Sequence, residues 1–565
     1  MVGAQRSLLL TRLVAVFLIA ALFAPLRADR AVAADDAQIT RVIRLPMSDG
    51  VELEVNLGGR GPLVNGELPP RPVIAEFSPY GPACCAEYAG PDFNYLQVHI
   101  RGTGDSDGAF DALGDQSQRD AADVLEWACH QPWSNGRLGL YGFSASAIIV
   151  YNSLHLPLPC VQSAVLGAGT HELYRDLMYP GGIPNQLPAL GVLALIGGPS
   201  LAAGPARLQR KPLSSLTTFK GMFASGRAYQ QHPTLDAWWR ERGMRGDVNH
   251  IPILMVTGFF DVESRGPFEA FKELRDAGAH LMVVGAHDGV PAGSGGSNAT
   301  RHRWYDHFLR GVDNGVDREP AVQLWMSDGD REDMLAGQFV TATAEDWPVP
   351  GTQWTSLSLD ASGSLHSGPA APAKQRYVAV PSLPTATDPH TTAILGYFNN
   401  SPRLTDMTLP ERLGLSYTTA AFPADVIAAG PASLELVLSS TARQSDVFAV
   451  ISDVSPDGVA HPVATGRLRT AYPDIDADRS LTDANGAIVQ PHGRYDYRRL
   501  ANTLQARRYF VEFWPIGNRF RAGHKLRLHI VGASAYHAPS VPAVNTVRVG
   551  GPNGSRLLLP VLPAP

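Results

Sequence analysis

The chain has 565 residues, and at about 150 residues per domain it has room for three or four folded units. Hydrophobic residues make up 44% and charged residues 18%, with 55 glycines and 45 prolines, so a large core is possible and wholesale disorder is excluded. A net charge of −6 leaves no basic field to hold a nucleic-acid backbone.

At the N-terminus, Arg6 and Arg12 accompany an apolar run over residues 13–26 that Pro25 interrupts, and Ala31-Val32-Ala33 has the form of a cleavage site. Residues 1–33 are therefore expected to be a signal peptide. The mature chain is expected to be secreted or held in the cell envelope, with no integral membrane span. Four cysteines follow, Cys84, Cys85, Cys129 and Cys160. So low a density does not make a disulfide framework, and their pairing stays open.

Residues 42–46 and 51–55 flank Asp49-Gly50 and read as a hairpin, with Val51, Leu53, Val55 and Leu57 on one face. Strand candidates follow at residues 72–77 and 95–100. Ala121, Ala122, Val124, Leu125, Ala128 and Cys129 make a helical stripe that Pro132 ends, and residues 138–141 resume as a strand. That alternation predicts an α/β layer with a parallel sheet. Residues 167–249 lose the alternation and read as an inserted helical cap. Strands return at residues 253–256 and 281–284, around a helix over 267–277. Beyond residue 319, short strand-like runs between Gly, Pro, Asp and Asn predict a β-sandwich, with residues 361–389 as a long surface excursion. The expected domains are thus a core from 34–166 and 250–318, a cap from 167–249 and a sandwich from 319–565.

The most specific chemical feature is Leu138-Gly139-Leu140-Tyr141-Gly142-Phe143-Ser144-Ala145-Ser146-Ala147. An apolar strand turns tightly around Ser144 and runs into a helix. A nucleophile elbow needs small neighbours because its serine occupies a strained backbone conformation. Gly142 meets that need at −2, whereas Ser146 stands at +2 in place of the usual glycine. An elbow requires an acid and then a histidine after later strands. Asp261 follows residues 252–258, and His287 follows residues 281–285, in the order Ser, Asp, His. The expected chemistry is attack by Ser144, proton transfer through His287, and orientation of the imidazole by Asp261. The Ala145 N–H is placed to donate to an oxyanion.

Four further segments carry a resemblance. They are Pro46-Met47-Ser48-Asp49-Gly50-Val51, Ser78-Pro79-Tyr80-Gly81, Arg101-Gly102-Thr103-Gly104-Asp105-Ser106-Asp107-Gly108, and Glu126-Trp127 through Gln131-Pro132-Trp133-Ser134-Asn135-Gly136 to Ser144. With these the chain resembles the Xaa-Pro dipeptidyl-peptidase family of serine hydrolases, which includes cocaine esterase-type and α-amino-acid ester hydrolases. The resemblance implies an α/β-hydrolase core with a helical cap and a C-terminal β-sandwich of jelly-roll form. It implies cleavage of a small ester or a short peptide, and it assigns the Tyr80 hydroxyl as the second oxyanion donor. Ala145, Ala147 and His99 depart from the family pattern, and Cys84-Cys85 has no counterpart in it.

A dipeptidyl-peptidase must hold a free α-ammonium. Glu263 is the carboxylate nearest the triad in sequence, and Glu172 and Asp176 are further candidates. Gly102, Gly104 and Gly108 miss the dinucleotide-loop spacing, and no metal-ligand motif appears, so neither cofactor nor metal is expected. The competing class is a decayed hydrolase that binds carbohydrate or a protein partner through its sandwich.

Overall fold

Among the described residues, two large sheets, a two-stranded ribbon and a helical insertion make up the protein in a computed structural model. It describes residues 38–60, 63–80, 92–198, 200, 209, 212–286, 298–328, 337–380, 410–534, 536–538 and 540–563. The expected signal peptide, Cys84, Cys85 and His287 lie outside the described residues. Among the described residues, no helix is long and apolar enough to cross a membrane.

The first sheet has ten strands. They are β1 (Gln38–Pro46), β2 (Glu52–Gly59), β3 (Arg71–Ser78), β4 (Asn94–His99), β5 (Ser134–Phe143), β6 (Val161–Gly167), β7 (Ile253–Phe260), β8 (His280–Ala286), β9 (Val322–Met326) and β10 (Val340–Ala344). Their spatial order is β1-β2-β4-β3-β5-β6-β7-β8-β9-β10. The pairings from β4 through β3 and β5 to β9 are parallel, so these strands share one carboxyl end. The hairpin β1–β2 and the pair β9–β10 close the two edges antiparallel. β9 and β10 carry this sheet past residue 318, where the sequence reading ends the core.

Helices cover the sheet as its apolar periodicity requires. α1 (Asp115–Cys129) buries Ala121, Val124, Leu125 and Ala128. α2 (Ala145–Ser153) is buried along its whole length, which fits its unbroken run of small and aliphatic residues. A disulfide between Cys129 and Cys160 ties the end of α1 to the residue before β6. Cys129 is therefore a bridge as well as a packing residue. The insertion between β6 and β7 holds α3 (Gln186–Gly191), α4 (Pro212–Gln231) and α5 (Ala237–Arg240). The core resumes with α6 (Arg265–Leu274) and α7 (Asn298–Arg310).

The second unit is an antiparallel β-sandwich whose main sheet has 11 strands, with a two-stranded ribbon from Ile475–Thr482 and Ile488–Gly493. The strand Ala543–Val549 alternates buried and exposed side chains, as a half-buried strand must. Within the expected surface excursion, Leu365–His366 and Ala373–Ala379 are strands of this sheet. Their side chains do alternate, but Ser, Pro and Gly between the runs mask the period.

A buried ionic cluster fastens the three parts together. Arg265 at the start of α6 is 2% exposed. Its guanidinium bonds Asp176 of the cap at 2.7 Å and Glu512 of the sandwich at 2.8 Å, with Glu269 one turn along α6 at 3.9 Å. Burial alone would push Asp176 up, and Arg265, His171 and Thr170 hold it below the ordinary carboxylate range. Removing the guanidinium that Asp176 and Glu512 share leaves buried carboxylates short of a cation, a loss of about 3–5 kcal/mol. Arg265→Met is therefore expected to lower the thermal midpoint by several degrees. An unchanged midpoint would mean the cluster does not hold the parts together.

Candidate active site

The turn after β5 decides the position of Ser144. This residue has φ 53° and ψ −120°, left-handed in φ and unfavourable for a side chain bearing a Cβ. The surroundings impose that conformation. Ser144 N–H donates to Gly167 O at 2.9 Å on β6, while its own carbonyl accepts from Ala147 and Ile148 in the first turn of α2. Strand and helix thus approach closely. A Cβ on Gly142 would lie 2.5 Å from Ala147 Cα, so only glycine fits at that point. Ala147 is small for the same reason.

Tyr80 reaches the turn from the loop after β3. Its hydroxyl accepts from Ala145 N–H at 3.1 Å and hydrogen-bonds the Ser144 side chain. Burial pushes the Tyr80 phenol up to about 12, so it carries its proton throughout the neutral range. The two expected oxyanion donors and the expected nucleophile are therefore gathered at one point. Tyr80 N–H in turn donates to Ser78 Oγ at 3.2 Å, which fixes the loop to the end of β3.

Asp261 follows β7 directly and is fully buried. Its Oδ1 accepts from Glu263 N–H at 3.1 Å, and its carbonyl accepts from Ser264 N–H, so the loop into α6 is bonded to itself. Because β5, β7 and β8 run parallel, Ser144 and Asp261 leave the same end of the sheet. His287 is the residue after β8 in sequence and lies outside the described residues. In open α/β sheets the carboxyl ends of the strands are where ligands bind.

The three carboxylates considered for an α-ammonium separate clearly. Glu263 is 3% exposed, and after burial its charge is among the causes that raise the Tyr80 and Tyr151 phenols. Asp176 instead belongs to the Arg265 cluster. Glu172 pairs with Arg175 at 3.0 Å.

One buried group at this site escaped the sequence reading. Glu76 on β3 is 4% exposed and accepts from Ser146 Oγ at 2.9 Å. Its signal was present, since it is the one acid in the run Arg71–Ser78 of otherwise apolar and edge residues. Among the described residues no cluster of His, Cys, Asp and Glu has the form of a metal site.

Residues 49–289 match the family model described as X-Pro dipeptidyl-peptidase (S15 family). Residues 314–552 match the model of the X-Pro dipeptidyl-peptidase C-terminal non-catalytic domain. The chain belongs to this family of serine hydrolases. It is 25% identical over 510 residues to a cocaine esterase of Rhodococcus sp. (strain MB1 Bresler), covering 78% of this chain and 85% of that one. In fold it is similar to a CocE/NonD family hydrolase from Staphylococcus aureus, with a TM-score of 0.73 at 18% identity, covering 93% of each chain. It is also similar in fold to an α-amino acid ester hydrolase, with a TM-score of 0.71 at 16% identity, covering 94% of this chain and 97% of that one. S15-family membership accounts for the α/β-hydrolase core with a β-sandwich behind it.

Proposed function

We propose that this S15-family chain is an exported acyl hydrolase that cleaves a small ester or a short peptide through an acyl-enzyme on Ser144. The observation that carries this reading is the meeting of strained Ser144, the Ala145 N–H and the Tyr80 hydroxyl at the carboxyl end of β5. In the proposed first step Ser144 Oγ bonds to the acyl carbon while His287 takes its proton. The carbonyl oxygen gains negative charge and accepts from Tyr80 O–H and from Ala145 N–H, which exchanges its bond to the Tyr80 oxygen for one to the oxyanion. The tetrahedral carbon then expels the alcohol or amine, which receives the proton from His287. Water repeats the sequence on the acyl-enzyme and frees the acid. Asp261, buried and bonded within its own loop, keeps the imidazole oriented and offsets its positive charge.

Glu263 is the proposed seat for a free α-ammonium, because it is buried two residues past Asp261, is bonded through its N–H to the Asp261 carboxylate, and acts electrostatically on the Tyr80 phenol. Export rests on the N-terminal pattern of Arg6, Arg12, the apolar run and Ala31-Val32-Ala33.

Turnover of p-nitrophenyl esters and of Ala-Pro-p-nitroanilide tests each role. Ser144→Ala is expected to lower kcat more than a thousandfold, and Tyr80→Phe about a hundredfold with little change in KM, the usual loss for one oxyanion donor. Ester turnover that survives Ser144→Ala would sink the nucleophile assignment. Glu263→Gln is expected to cut kcat/KM for the dipeptidyl substrate at least tenfold more than for the esters, consistent with a charged hydrogen bond of ~1.5–3 kcal/mol. Equal losses on both would remove Glu263 from substrate recognition.

A further inference from the structure

The +2 position of the elbow departs from the usual glycine, and its side chain has a dedicated partner. Ser146 is fully buried in the first turn of α2, and its hydroxyl donates to Glu76 Oε1 at 2.9 Å. Glu76 lies opposite Tyr141 on β5 and Gln97 on β4, and the Gln97 side chain also hydrogen-bonds it. Two residues beyond Glu76, Ser78 ends β3 and anchors the loop that presents Tyr80. Besides the Ala145–Tyr80 contact itself, this hydrogen bond joins the helix that carries Ala145 to the strand from which the Tyr80 loop leaves.

We propose that Glu76 is a positioning residue for acyl transfer, holding the two oxyanion donors at a fixed separation through its hydrogen bond with Ser146. This rests on the assignment of Ser144 as nucleophile. The geometry demands a brace. Ala145 N–H and Tyr80 O–H come from different elements, and oxyanion stabilisation depends on the positions of those elements being fixed before charge develops. A hydroxyl–carboxyl pair between α2 and β3 limits sliding of one element on the other, and both of its side chains are buried.

The protonation state matters to the brace. Burial pushes the Glu76 carboxyl up to about 8, against the opposing hydrogen bonds from Ser146 and Gln97. The groups facing it are Ser146 from α2, Gln97 from β4, Tyr80 from the loop after β3, and Tyr305 from α7, whose hydroxyl donates to Leu140 O at 2.6 Å. Tyr141 of β5 is its strand neighbour, with the Arg301 guanidinium 5.9 Å from the Tyr141 ring. At pH 7 the carboxyl is neutral. Above about pH 8 it gains a negative charge that acts on Tyr80 and opposes a second negative charge on the oxyanion. The sign is therefore a fall in kcat as pH rises through that value.

The test measures kcat and KM for a p-nitrophenyl ester from pH 6 to 10, with thermal unfolding of every variant. Ser144→Ala serves as the control for the nucleophile itself. Ser146→Ala and Glu76→Leu are each expected to lower kcat ten- to a hundredfold at pH 7 with KM within threefold. The double variant is expected to lose no more than the worse single one, since both remove the same contact. Glu76→Gln, whose amide oxygen still accepts from Ser146, is expected to recover most of kcat at pH 7 and to lose the fall near pH 8. Should Glu76→Leu not fold, Ser146→Ala and Glu76→Gln still decide the matter. Losses that add, or a Glu76→Gln profile that falls near pH 8 as the native one does, would overturn the brace. If Ser144→Ala retains turnover, the nucleophile assignment fails instead, and the two failures are distinct.

Discussion

The left-handed φ at Ser144 is the constraint from which the rest of the site follows. Holding a residue other than glycine there costs about 1–3 kcal/mol, and the chain offsets that cost with local closeness. Gly142 lets β5 run against α2, Ala147 keeps the first turn of the helix narrow, and Gly167 on β6 accepts from the Ser144 amide. The turn lifts Ser144 to the end of the sheet and aims the Ala145 N–H at the same point. Tyr80 meets it there only because β3 lies beside β5 in the parallel sheet and ends at the same level. Sheet order and one strained residue together place three groups that are 65 residues apart in sequence at their widest.

Behind the site, charge takes over from packing. α6 begins four residues after Asp261, and its Arg265 is shared between the cap and the sandwich. The loop that holds Asp261 is thus tied to both other parts of the molecule through one guanidinium. A bidentate planar cation suits that task because it can face carboxylates on different elements at once. The β-sandwich therefore contributes to the rigidity of the core as well as to its bulk, and Ser327 N–H donating to Gly517 O adds a second attachment from the end of β9.

Much of this was legible from residue pattern. The hairpin around Asp49-Gly50 and the stripe on α1 carry clear periodicity, the strands before Asp261 and His287 hold unbroken apolar runs, and each occurs where it was expected. The elbow was legible because its strain leaves a mark in the small residues around Ser144. What pattern did not show depends on distant partners. β9 and β10 fall in the stretch assigned to the sandwich, because short strands look alike whichever sheet they join. Cys129 and Cys160 are 31 residues apart, and nothing local says that α1 ends beside the start of β6. Asp176 stood as a candidate for the α-ammonium until α6 brought Arg265 against it. Glu76 was overlooked because a lone acid in an apolar strand declares its burial only when Ser146 arrives from another element.

The central claim is that Ser144 is an activated nucleophile, held reactive by its backbone. The most direct measurement is covalent labelling of the folded chain with a fluorophosphonate probe, followed by mass mapping of the modified peptide. A single adduct on Ser144, absent from unfolded chain and from Ser144→Ala, is the predicted result. No adduct on the folded chain, or an adduct that persists in Ser144→Ala, would contradict it.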